Sequence, residues 1–156
     1  MNALKTLIYM GSLHGFFTFY VPFQVATWTS PLFELGDLHY VAVPLWIIGA
    51  WIIIICSMDM IRKGRGTPAH MDPPKQLLIT GMYRHVRNPI YLGALLALFG
   101  HIIWSGSGLV IAYSLCYVIA FQILVVVFEE PVLRRNFGRE YEEYCGAVPR
   151  WMPKIW

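Results

Sequence analysis

Apolar positions along this chain do not alternate with polar ones; they gather into four long runs separated by short polar segments. The runs extend from about Leu4 to Trp28, Tyr40 to Met58, Ile90 to Trp104 and Leu109 to Phe128. A helix needs about 20 apolar residues to cross a hydrocarbon core of about 30 Å. The second and fourth runs reach that length without a charged residue. The first is long enough but contains His14, Pro22 and Gln24, which predicts a kink or a side turned toward protein. It has no small-residue cleavage pattern and continues into Pro31-Leu32-Phe33, so it reads as a mature helix and not a leader. The third run covers only about 22 Å as a helix. Ser105-Gly106-Ser107-Gly108 ties it to the fourth, predicting a tight helical hairpin whose first arm extends past its purely apolar part.

The pattern predicts an all-α integral membrane protein with about four transmembrane helices, over residues 4–28, 40–61, 88–105 and 108–130. A cytoplasmic loop at 62–87 and a cytoplasmic tail at 131–156 complete a single domain over 1–156. Composition agrees: 57% of residues are hydrophobic and 13% charged, where a soluble domain carries about 25% charged residues. A formal charge of +3 is too small to point to nucleic acid. Its distribution says more. The connection between the first two helices holds Glu34 and Asp37 and no Lys or Arg. All 12 Lys and Arg fall on the other side of a four-crossing arrangement. Lys5 is N-terminal; Arg62, Lys63, Arg65, Lys75, Arg84 and Arg87 lie in the loop; Arg134, Arg135, Arg139, Arg150 and Lys154 lie in the tail. The positive-inside rule makes that side cytoplasmic, both termini included. Trp28, Trp104 and Trp151 near the predicted interfaces suit an aromatic belt. Cys56, Cys116 and Cys145 have no metal-ligand spacing and imply no disulfide framework, and no metal is expected.

Chemistry is confined to the two cytoplasmic segments. The first, Gly64 to Gly93, opens on Gly and Pro and is stiffened by Pro73-Pro74, so it begins irregular. Gln76 to Thr80 suits a short strand or a turn that stops at Gly81. Asn88-Pro89 then supplies a preferred N-cap and a preferred first residue for the third helix. Free N–H groups there, with Arg84 and Arg87 just upstream, suit a carboxylate or a phosphate. Taken alone, Asn-Pro is also an ordinary cap, and Arg beside a membrane helix an ordinary topology signal. The second segment, Phe128 to Trp156, opens on Glu129-Glu130, which closes the fourth helix ahead of Pro131. Adjacent carboxylates at the edge of a hydrocarbon core are costly unless solvated or paired. Leu133, Phe137, Tyr141 and Tyr144 then recur at helical spacing among charged residues. They predict an amphipathic helix, lying at the interface or packed over the preceding loop.

The stretch GMYRHVRNPIYLG, followed about 40 residues later by EEPVLRRNFGREYEEYCGAVPRWMP, resembles the isoprenylcysteine carboxyl methyltransferases and the related phospholipid methyltransferases. A G-x-Y-x-x-x-R-[HN]-P-x-Y motif falls on Gly81, Tyr83, Arg87, Asn88, Pro89 and Tyr91. A second motif falls on Glu129, Glu130, Leu133, Phe137, Gly138, Glu140, Tyr141 and Tyr144, and a closing V-P-R on Val148, Pro149 and Arg150. The eukaryotic enzymes carry Arg-His-Pro where this chain has Arg-Asn-Pro, a form similar to the prokaryotic branch and its diverse substrates.

The resemblance implies an S-adenosylmethionine-dependent methyltransferase embedded in the bilayer, its cofactor in a cytoplasm-facing pocket formed by the loop and the C-terminal amphipathic helix. No strand, Gly-rich turn and helix of a soluble methyltransferase is present. The implied cofactor-binding residues are Tyr83, His85, Arg87, Asn88, Pro89, Tyr91, Leu92, Glu129, Glu130 and Tyr141. The methionyl carboxylate would sit near Arg87 and the backbone after Asn88. Glu129 or Glu130 would take the methionyl amine or the ribose hydroxyls. Tyr83, Tyr91 and Tyr141 would wall the adenine or the sulfonium. Glu140, Arg139 and Glu143 are the catalytic candidates, with Glu140 or Glu143 as base if the acceptor is an amine or thiol. The acceptor is lipophilic or small, either an isoprenylcysteine-like carboxylate or a phospholipid amine, and a lipidic one enters sideways from the bilayer. Two alternatives remain: a sterol-reductase-type enzyme using a nicotinamide dinucleotide, whose chains are usually longer, and a non-catalytic membrane scaffold.

Overall fold

A computed structural model describes Ile8 and residues 11–64 and 76–154. The expected helix start at Leu4 and the extended Pro73-Pro74 stretch lie outside them. Every regular element among the described residues is helical. The first helical run contains a wide π-helical turn, Gly15–Tyr20, followed by α1, Val21–Ala26. Pro22 accounts for the widening: it lacks an N–H, and its ring crowds the carbonyl four residues back, at Thr18. Sequence alone allows a kink or a side turned toward protein here, and the structure shows a widened turn. The run ends at Ala26, where the backbone N and the Oγ1 of Thr27 both donate to the Gln24 carbonyl, at 3.0 and 2.7 Å.

A 3₁₀ turn, Gly36–Val41, leads into α2, Ala42–Asp59, which continues as a π turn to Gly64. The expected strand or turn at Gln76 to Thr80 is irregular chain, not strand, and a 3₁₀ turn follows at Gly81–Arg84. Helix α3 spans Pro89–Ser105 and α4 spans Gly108–Ile123. The hairpin between them closes on Gly106, at φ +56°, where a side chain would run into the Phe33 carbonyl. Leu32 N donates to the Gly106 carbonyl at 2.8 Å, so the first interhelical connection is stitched to the hairpin tip.

One expectation is corrected. Glu129-Glu130 does not close the fourth helix: α4 passes through a π turn, Leu124–Glu129, straight into α5, Glu130–Ala147. Pro131 is tolerated because it lies in the first turn of α5, and its crowded partner four residues back, Val127, belongs to the already widened turn. Helix α5 in turn breaks at Gly138 (φ 50°, ψ −120°), so the predicted amphipathic helix is two pieces. Two runs, Gly36–Lys63 and Gly108–Ala147, are long and apolar enough to cross a membrane, and α3 is a shorter apolar helix.

Helices α2 and α3 meet along a seam of small residues. A Cβ on Gly49 would lie 2.5 Å from the Gly93 carbonyl oxygen, and one on Gly93 would lie 2.8 Å from that of Gly49. Such residues let helix backbones touch where lipid removes the hydrophobic drive for association. Ile52, Ile53, Cys56, Ile90, Ala94, Leu98, Tyr117 and the loop residue Tyr83 fill the adjoining core. The first run leans on α3 and α4, held by Thr18 and Tyr117, whose hydroxyls lie 2.9 Å apart. A second cluster, Tyr141, Tyr144 and Val148, packs over Leu77 of the loop, which is the second of the two placements the amphipathic pattern allowed.

Candidate functional site

The start of α3, the turn into α5 and the chain after α5 converge on Glu130, which is 6% exposed. Arg150 grips it with a two-pronged fork, Nε to Oε1 at 2.7 Å and Nη2 to Oε2 at 3.0 Å. That bond raises the Arg150 pKa above its ordinary value. Arg87 reaches the same carboxylate from the other side, Nη1 to Oε1 at 3.1 Å, and also donates to Cys145 Sγ at 2.9 Å. Paired charges of this kind are what make a buried carboxylate tolerable.

Arg87 is further fixed by its backbone N, which donates to the Pro149 carbonyl at 2.9 Å. Its Nε–H is buried and has no acceptor among the described residues. A buried donor on a guanidinium left without a partner is costly, and it marks a place where an anionic oxygen would be held.

Glu129, the neighbouring residue, faces elsewhere. The Tyr91 hydroxyl donates to its Oε1 at 2.6 Å, and both residues are buried. Asn88 occupies the N-cap position of α3, but its side chain does not cap the helix; Nδ2 donates to the Arg150 carbonyl at 3.3 Å. Pro89, buried, takes the first helical position as expected. The His85 Nδ1–H donates to the Lys154 carbonyl at 2.9 Å, and Lys154 N returns a bond to the His85 carbonyl at 2.9 Å. His85 thereby ties the tail to the loop.

Tyr83 is buried, its hydroxyl unpartnered, and burial pushes its pKa well above the usual tyrosine value. Its carbonyl accepts from the Tyr144 hydroxyl at 2.6 Å. Tyr141 is 2% exposed, with the Arg134 guanidinium 5.8 Å from its ring centre. Leu92 and Tyr91 line a cavity of about 290 Å³ between α3 and α4, closed by Trp151, whose Nε1 donates to Gln122 Oε1 at 2.9 Å.

Of the expected cofactor residues, Arg87 and Glu130 meet in one cluster with Arg150, Tyr91 pairs with Glu129, and Leu92 faces the cavity between α3 and α4. The three catalytic candidates are elsewhere. Glu140 is exposed, and Arg139 pairs with Glu143 at 2.8 Å on the surface, their side chains 92% and 66% exposed. With about 100° between successive helical residues, Arg139 and Glu143 lie across the helix from Tyr141 and Tyr144, which face the loop. Conversely, the Arg150 fork and the Cys145 contact were not foreseen from sequence. Arg150 was signalled only by its place in the closing V-P-R.

Fold and site define an all-helical protein of membrane type whose charged groups are buried together at the head of one helix. Residues 38–140 match the family model described as phospholipid methyltransferase, and the chain belongs to that family. It is similar to a probable protein-S-isoprenylcysteine O-methyltransferase of Oryza sativa, 30% identical over 133 residues covering 78% of this chain and 64% of the relative. Protein-S-isoprenylcysteine O-methyltransferase B of Arabidopsis thaliana is 33% identical over 127 residues, 70% of this chain and 61% of that one. A delta(14)-sterol reductase of Gallus gallus is 28% identical over 175 residues, covering 95% of this chain but 27% of its own length. The chain thus spans a little under two thirds of the plant relatives it matches. No solved structure matches it.

Proposed function

We propose that this protein is an S-adenosylmethionine-dependent methyltransferase that spans the membrane four times with its site and termini in the cytoplasm. Its acceptor is lipophilic or small, an isoprenylcysteine-like carboxylate or a phospholipid amine. The observation that carries the reading is the buried Nε–H of Arg87 at the head of α3, which has no acceptor among the described residues and lies inside the region matched by the family. It fits the methionyl carboxylate, together with the backbone that follows Asn88.

When bound, the cofactor supplies a methyl group already activated on a sulfonium, so the protein's work is positioning and exclusion of water. Glu130 is occupied by Arg87 and Arg150 and serves as the strut that aims Arg87. Glu129, held by Tyr91, is the carboxylate for the methionyl amine or the ribose hydroxyls. The aromatic faces of Tyr83, Tyr91 and Tyr141 favour positive charge nearby. The exposure of Glu140 and Glu143 favours an acceptor that is already anionic and needs no base.

Titration calorimetry of S-adenosylhomocysteine into the detergent-purified protein tests this. Micromolar binding is expected, weakened about tenfold or more in Arg87→Lys, whose point charge cannot replace the Nε–H. Binding of a reduced nicotinamide dinucleotide in its place would establish the reductase reading, which the relative from Gallus gallus favours.

A further inference from the structure

Away from the charged cluster, a cavity of about 560 Å³ opens between the first helical run and α2. This lies within the range of about 300–1,000 Å³ that holds small ligands. Phe19, Ala50, Ile53 and Ile54 supply its apolar wall. Gly11 and Gly15 leave the first run flat on this side, with no neighbouring group among the described residues within 4 Å of where a Cβ would stand.

Two polar side chains interrupt the wall. His14 is 2% exposed and Ser57 4% exposed, and both line the cavity. Both ring nitrogens of His14 and the Oγ of Ser57 lack hydrogen-bond partners among the described residues. Buried polar groups are almost always satisfied, so three unmet atoms around one cavity imply an absent partner. Arg62, at the end of the helical run that carries Ser57, lines the cavity as well. On its other side the His14 ring lies 6.4 Å from that of Tyr91, the residue bonded to Glu129.

We infer that this cavity binds a lipid with a single apolar chain, whose polar head is hydrogen-bonded by His14 and Ser57. The chain lies along Phe19, Ala50 and Ile54, and Arg62 favours a head that carries negative charge. His14 and Ser57 are then specificity residues for the methyl acceptor. That last role rests on the methyltransferase reading; the lipid site itself does not.

The test uses the full chain in detergent and hexadecanoic acid bearing a diazirine, with labelled peptides located by mass spectrometry. Labelling is expected on the Ala50–Met58 stretch, suppressed by unlabelled hexadecanoic acid and not by a two-chain phosphatidylethanolamine. Gly15→Leu, which fills the cavity, and His14→Phe are each expected to cut labelling about tenfold, the loss of roughly 1.4 kcal/mol. Ile54→Trp fills the cavity from the α2 side should Gly15→Leu fail to fold. S-adenosylhomocysteine binding is expected to stay unchanged in all three variants. Labelling that is unaffected by either filling variant, or equal competition by the two-chain lipid, overturns the proposal. Specific labelling by a protein that binds no S-adenosylhomocysteine would retain the lipid site and remove the methyltransferase reading.

Discussion

Replacing Glu130 by Ala removes one carboxylate and strands two guanidinium groups. Three charge-assisted bonds are lost, at 2.7, 3.0 and 3.1 Å. The Arg87 side chain is 12% exposed and has no route to water without moving, whereas that of Arg150 is 31% exposed and rehydrates in part. Breaking a fully buried pair costs about 3–5 kcal/mol, so the partial exposure of Arg150 brings the expected loss to about 3 kcal/mol. For a chain of this size that lowers the melting temperature by about 6–12 °C. Tryptophan fluorescence in detergent at a fixed heating rate reads this out. Glu130→Gln keeps the shape and, with its amide oxygen in the Oε1 place, accepts two of the three bonds without the charge, so a smaller loss than for Glu130→Ala is expected. If the shared carboxylate is the cause, Glu130→Ala with Arg150→Ala will be milder than the sum of the two single changes. A melting temperature within about 2 °C of the parent, or strict additivity, would refute the argument that Glu130 holds the site together.

Gly49→Ala sets helix propensity against sterics. Ala gains up to about 1 kcal/mol over Gly in a helix, but its Cβ would sit 2.5 Å from the backbone oxygen of Gly93, which cannot yield without parting the helices. The expected net loss is about 1–2 kcal/mol, while Gly146→Ala in α5, with nothing within 4 Å, is expected to be neutral or stabilising in the same melt. At alkaline pH, Tyr83 is expected to stay protonated after exposed tyrosines ionise near pH 10. The unfolded chain then binds fewer protons than the folded one, so the Tyr83 contribution, full below about pH 10, falls as pH rises beyond it. Absorbance titration at 295 nm of the parent and Tyr83→Phe checks this: the variant should lose one of the late-titrating steps and none of those near pH 10.

What the sequence shows plainly is whatever rests on composition and local signals. The ends of α3 and the start of α4 are such features, with Pro89 and Gly106 acting within a turn of themselves, whereas the Asn88 side chain turns away from the cap to the Arg150 carbonyl. The run through Pro131 was not legible, because it depends on the width of the preceding turn, which side chains do not announce. The charged cluster was half legible. Arg87 and the two glutamates stand out at a membrane boundary, but the Arg150 fork joins residues 20 apart in sequence, from either end of α5, and depends on how the chain turns back after that helix. His14 reads in sequence as a polar interruption of an apolar run, and Ser57 gives no signal at all. Only the gap between those runs gives them a common address.

The π turn at Leu124–Glu129 acts as a register device. A π turn holds one residue more than a regular turn, so forcing this segment into regular α geometry with that residue retained would swing both carboxylates around the helix by about 100°. Glu130 would leave the two arginines and Glu129 would leave Tyr91, although every side chain of the site would still be present in the sequence. A one-residue deletion at Val126, which lets the turn close to regular α geometry with the carboxylates in register, would therefore be expected to do less harm than a one-residue insertion there. The site is set by how far the backbone has rotated when it reaches Glu129, as much as by the residues it carries.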